Sequence, residues 1–149
     1  MFTMLATCGN DSNSNFSTSP IAEDFSSIKD PAERWRAYGL RSYVFEQLRN
    51  CFCVHGGIPF KIYIQNEQIV QITNKATGEA LDSNDFHLFK TVPQLFEFLE
   101  SIDADSVAVF NVQFHPRFGF PNFIYVDFSE RIADEEMGFV SANLERLID

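Results

Sequence analysis

Phe60-Lys61-Ile62-Tyr63-Ile64-Gln65-Asn66-Glu67-Gln68-Ile69-Val70-Gln71-Ile72-Thr73 is the stretch that decides the fold. From Phe60 to Ile64 the side chains alternate, so Phe60, Ile62 and Ile64 share one face of a strand. Asn66-Glu67 has the composition of a tight turn, and Ile69 to Thr73 returns as a second strand. An antiparallel hairpin with one apolar face must be covered by another layer, and the flanking sequence supplies candidates.

Upstream, Gly56-Gly57 interrupts the chain, and Ser42 to Cys53 reads as one long strand. On that reading Tyr43, Phe45, Cys51 and Cys53 point one way and Val44, Leu48 and Phe52 the other. Asp30-Pro31-Ala32-Glu33 places an acid at the N-cap, proline at the first helical position and an acid at N3. A helix is expected from there to Tyr38, stopped by Gly39, with Trp35 and Tyr38 on its buried side. Downstream, Thr77 to Asp82 reads as a turn and surface loop. Thr91 to Gln94 forms a capping box with Pro93 in the first turn, and Val92, Leu95, Phe96, Leu99 and Ile102 make the apolar stripe of a second helix. Asp103-Ala104-Asp105 ends it. Val107 to Phe114 and Phe123 to Phe128 read as strands joined by His115-Pro116-Arg117-Phe118-Gly119-Phe120-Pro121, before an acidic turn and a short last segment around Phe139. The order specifies an α+β fold: a mostly antiparallel sheet of about five or six strands with two main helices packed on one face. Residues 30–73 and 91–128 share a loose helix–strand–strand pattern.

The chain has 149 residues, 45% of them hydrophobic, with 17 Phe, 4 Tyr and 1 Trp. That is about one domain, long enough to bury a core without metal or disulfide staples. A net charge of −10 excludes nucleic acid as the expected partner and disfavours adsorption to an anionic membrane. No run of 18 apolar residues is present to span a bilayer as a helix.

Residues 1–8 read as a truncated lipoprotein signal ending at Cys8, since Leu5-Ala6-Thr7-Cys8 has the form of a lipidation box. Thr7 is bulkier than the usual residue before the cysteine, and no basic leader precedes it. A start upstream of Met1 would supply the missing leader. Residues 9–25 are read as a flexible polar tether and 26–149 as a single α+β domain. The expected location is the cell envelope, membrane-anchored and facing periplasm or exterior, with a lipid anchor as the only membrane contact. The alternative is a cytoplasmic protein in which Cys8 has no such role.

Several motifs together resemble a family of small bacterial domains without assigned function, many of them secreted or lipoproteins. They are Tyr43-x-Phe45 leading to Cys51-Phe52-Cys53; Val70-Gln71-Ile72-Thr73 with Thr77-Gly78; Thr91-Val92 with Leu95-Phe96; Gly119-Phe120-Pro121 leading to Ile124-Tyr125-Val126-Asp127; and Arg131-Ile132-Ala133-Asp134-Glu135-Glu136. The resemblance spans about residues 33 to 144. His115 stands where similar proteins tend to carry an acid. The resemblance implies an α+β envelope domain and no particular activity.

Three readings of Cys51 and Cys53 stay open: reduced and packed, bridged in an oxidising compartment, or metal-ligating. A regular strand would hold their Cα atoms about 6.6–6.8 Å apart, so a bridge needs a bulge or kink. Adding His55 gives two thiolates and an imidazole, a set suited to zinc or copper but lacking a fourth ligand. Asp127, Glu130, Asp134, Glu135 and Glu136 form an acidic stretch without the spacing of a calcium loop. There is no Gly-x-Ser-x-Gly elbow, phosphate loop or His-Glu-x-x-His motif, so no catalytic residue and no cofactor is assigned. Phe118 and Phe120 are candidates for an exposed aromatic tip that contacts a protein partner. The expected function is a non-catalytic binding or accessory module with an unidentified protein or small-molecule partner. The alternative is a thiol redox or metal-handling protein using Cys51 and Cys53.

Overall fold

The computed structural model describes residues 16–129 and 136–148. In chain order its elements are β1 (Ser17–Ser19), α1 (Pro31–Ala37), β2 (Tyr43–Asn50), β3 (Pro59–Gln65), β4 (Gln68–Asn74), α2 (Val92–Ser101), β5 (Val109–Phe114), β6 (Pro121–Asp127) and β7 (Glu136–Ile148). Short 3-10 turns occupy Ser83–Leu88 and Ala104–Ser106. All strand pairs are antiparallel, in the order β4-β3-β2-β7-β6-β5, and β1 also pairs with β7.

The hairpin forms as its alternation predicts. Ile62 lies opposite Ile72, and Asn66 and Glu67 turn the chain with φ of 51° and 69°. Two positive φ values in a two-residue loop match the right-handed twist of the strands it joins. Both helix starts also stand where the sequence puts them. The Asp30 carboxylate accepts from the Glu33 N–H, and Thr91 and Gln94 complete a reciprocal capping box. Gly39 ends α1 with φ +60°.

The core is lined by Tyr43 and Phe45 of β2, Phe60, Ile62 and Ile64 of β3, Ile72 of β4, Ile124 and Val126 of β6, and Phe139 of β7. Tyr43 is touched by both helices. The Trp35 ring meets it edge-on at 5.3 Å, and its hydroxyl accepts from the Val92 N–H at 2.9 Å. Burial pushes the Tyr43 phenol far above its usual pKa, so it stays a neutral acceptor. Four residues further along β2, Gln47, also fully buried, acts like a short strand segment. Its Nε2 donates to the Lys90 carbonyl and its Oε1 accepts from the Lys90 N–H. The segment entering α2 is thereby fastened to β2.

Four expectations need correction. The sheet has seven strands, because residues 16–25 are seated and do not belong to a tether spanning 9–25: β1 pairs with β7, Phe16 stacks on Tyr63, and Ile21 is buried. A polar strand can be held by backbone pairing alone, which composition does not register. The strand expected to reach Cys53 ends at Asn50. The short segment around Phe139 is the 13-residue β7, lying between β2 and β6. Its left-handed Asn143 (φ 57°) shifts the buried positions from Phe139 and Ser141 to Leu144, which hides the period of two. Finally, the halves are not repeats: the strand following α1 is central, whereas the strand following α2 is an edge.

Candidate functional site

β2 leaves the sheet at Asn50, and the chain turns back through Cys51–Ile58 to reach β3. The turn is fastened from beneath by Arg49, which is only 4% exposed although charged. Its Nη1 donates to the Val54 carbonyl at 2.7 Å, and its own carbonyl accepts from the Gly57 N–H at 2.8 Å. The guanidinium lies 5.7 Å from the centre of the Phe89 ring, and burial lowers its pKa from the ordinary value. Within the turn the Gly56 N–H donates to the Cys53 carbonyl. A Cβ at Gly56 would press on the Cys51 carbonyl oxygen, so this position requires glycine.

The turn brings the two cysteines together. Their sulfurs are in contact and their Cα atoms lie 5.3 Å apart, inside the usual range for a bridge. A continuous strand would have kept them farther apart, so the early end of β2 is what allows the contact. His55 does not extend a strand face. It adopts φ 61°, and its Nε2 lies 3.4 Å from the Asp85 carboxylate while its ring meets Phe60 edge-on. Phe52 is 86% exposed, Val54 60% and Ile58 37%.

Phe118 and Phe120, expected at an exposed tip, are buried at 8% and 0% exposure. The turn that carries them is a packing hub. His115 is flanked by both rings, at 5.0 and 4.9 Å, and its Nδ1 accepts from the Arg117 and Phe118 N–H groups. Burial, then the Arg117 and Arg34 charges, hold His115 below its ordinary pKa. Gly119, at φ +87°, sits against the Pro31 carbonyl where any Cβ would collide. Phe52, between the cysteines, is 86% exposed, about twice as open as Phe114 and Phe128 at 37% and 40%.

Among the described residues, no group of three or more His, Cys, Asp or Glu side chains is placed to hold a metal ion. In the acidic stretch, Asp127 accepts from the Ser129 N–H and Glu136 from the Tyr125 hydroxyl. Glu130, Asp134 and Glu135 lie outside the described residues, as does Cys8. A mainly apolar groove of about 530 Å³ runs between α1 and α2, with Trp35, Leu40 and Phe96 in its wall and Glu97 and Glu100 on its rim.

A protein-family model described as a family of unknown function, DUF6174, matches residues 27–146. The chain belongs to DUF6174. That span contains the expected 33 to 144 and carries the DUF6174 match across both helices, the Cys51–Ile58 turn and most of β7. No curated protein and no solved structure matches the chain. In this DUF6174 chain, sequence reasoning missed Arg49, Gln47 and Asp85. For the first two a signal existed: alternation from Tyr43 and Phe45 places both on the buried face, where a polar residue needs a partner.

Proposed function

We propose that this chain is a non-catalytic binding module of the cell envelope, tethered through a lipidated Cys8, that presents the Cys51–Ile58 turn to a protein partner. One observation carries the reading: Phe52 is held 86% exposed on a turn tied down at Arg49, Gly56 and Gly57. Single exposed apolar residues are ordinary. Here Phe52, Val54 and Ile58 fall within one turn, which is the pattern of a contact patch. The partner this fits has an apolar pocket with a basic rim, because the chain carries a net charge of −10. The same charge argues against nucleic acid.

The test has two arms. Acyl labelling of the chain expressed from its native locus is expected to mark Cys8 and to vanish in Cys8→Ser. An unlabelled product in the cytoplasm would remove the envelope reading. A photo-crosslinking phenylalanine analogue at position 52 is expected to give one discrete adduct that the same analogue at exposed Val109 does not give. Equal adducts at both positions would remove the docking surface.

A further inference from the structure

Cys53 is exposed and Cys51 half-buried, so a thiol arriving from solvent meets Cys53 first. A bridge between them spans a single intervening residue, the kind of short loop whose closure removes little entropy from the unfolded chain. The fold does not hang on it either. β2 ends at Asn50, before the pair, and the turn is held separately by Arg49 Nη1 on the Val54 carbonyl, by Gly57 N–H on the Arg49 carbonyl and by His55 beside Asp85. Exposed bridges that contribute little stability belong to the exchangeable class.

We propose that Cys51 and Cys53 form a reversible thiol–disulfide couple that an external dithiol reduces by attack at Cys53. The thiolate of the dithiol bonds to Cys53 Sγ as the bond between the two protein sulfurs breaks. Its electron pair leaves on Cys51 Sγ, which takes up a proton. The second thiolate of the donor then attacks the donor's own sulfur in the mixed disulfide, closing the donor's disulfide and releasing Cys53, which takes up the second proton. The chain gains two electrons and two protons, and the dithiol loses them. The couple occupies the same turn as the docking surface, with Cys53 between Phe52 and Val54, and it exchanges with an external dithiol while that surface is free.

The experiment uses the full chain carrying Cys8→Ser, equilibrated with graded ratios of reduced to oxidised dithiothreitol, quenched with an alkylating reagent and weighed by mass spectrometry. A single transition from no adduct to two adducts is expected, identical from either direction, with the thermal unfolding midpoint unchanged across it. In the same background, Cys51→Ser leaves Cys53 as the sole thiol, which is expected to react with an aromatic disulfide about tenfold faster than the Cys51 left by Cys53→Ser. Two adducts at every ratio would show that the sulfurs do not bridge. No adduct until denaturant is added would show a static staple, and a faster Cys51 would reverse the direction of attack. Each overturns the proposal. The crosslinking at position 52 reads the docking surface alone, so failure of one reading leaves the other's result intact.

Discussion

Gln47 makes two hydrogen bonds to the Lys90 backbone from the buried face of β2, between Phe45 and Arg49. Gln47→Leu keeps the volume and leaves a half-buried N–H and C=O without partners. It is expected to lower the unfolding free energy by about 2–4 kcal/mol in urea titration. Phe52→Ser removes a side chain that packs on little and is expected to change stability by no more than about 0.5 kcal/mol. A loss comparable to a core substitution would mean that Phe52 is packed. His115 gives a pH signature. Its folded pKa lies below the ordinary value near 6.5, because burial and the Arg117 and Arg34 charges disfavour the imidazolium. Above about pH 6.5 the ring is neutral in folded and unfolded chains alike. Below it the unfolded chain binds the proton first, so stability falls as pH drops, until the folded ring titrates too. His115→Gln, whose amide oxygen can still accept, is expected to flatten that limb of a plot of unfolding free energy against pH.

The elements legible in the sequence are those whose signals are local. α1 and α2 announce themselves by a cap, a proline and a hydrophobic stripe, and β3–β4 by alternation around Asn66-Glu67. The illegible parts depend on distant partners. β1 is held by pairing with Arg146 to Ile148, and β7 loses its period at Asn143. The candidate site was half visible: the spacing of Cys51 and Cys53 was plain, but the turn that joins them is held by Arg49 reaching Val54, and such reach leaves no periodic trace. The hairpin turn also offers a balance of magnitudes. Glu67 adopts φ 69° and pairs with Arg41 at 2.8 Å across exposed surface. An exposed ion pair is worth about 0–1 kcal/mol, while relieving a left-handed non-glycine residue gains about 1 kcal/mol. Glu67→Gly is therefore expected to raise the thermal midpoint slightly.

On the scale of the whole molecule, β1 enters the sheet at the end opposite the Cys51–Ile58 turn. Ser17 pairs with Ile148, whereas Asn50 pairs with Gly138, and that length of β7 is roughly 30 Å at strand rise. A chain held by Cys8 would carry its turn away from the bilayer. In vesicles bearing the acylated protein, the indole introduced by Phe52→Trp is expected to escape quenching by brominated lipid tails, and quenching there would assign the turn to the membrane. The placement of β7 also has a consequence for biosynthesis. It is the strand that joins the β2–β3–β4 meander to the β5–β6 hairpin, and it is the last of the sheet to be translated. A ribosome-bound chain that has not yet released residues 136–148 holds two unjoined half-sheets with their apolar inner edges open. Closure must therefore wait until residues 136–148 have emerged, which leaves an interval in which the preceding polypeptide is still threadable.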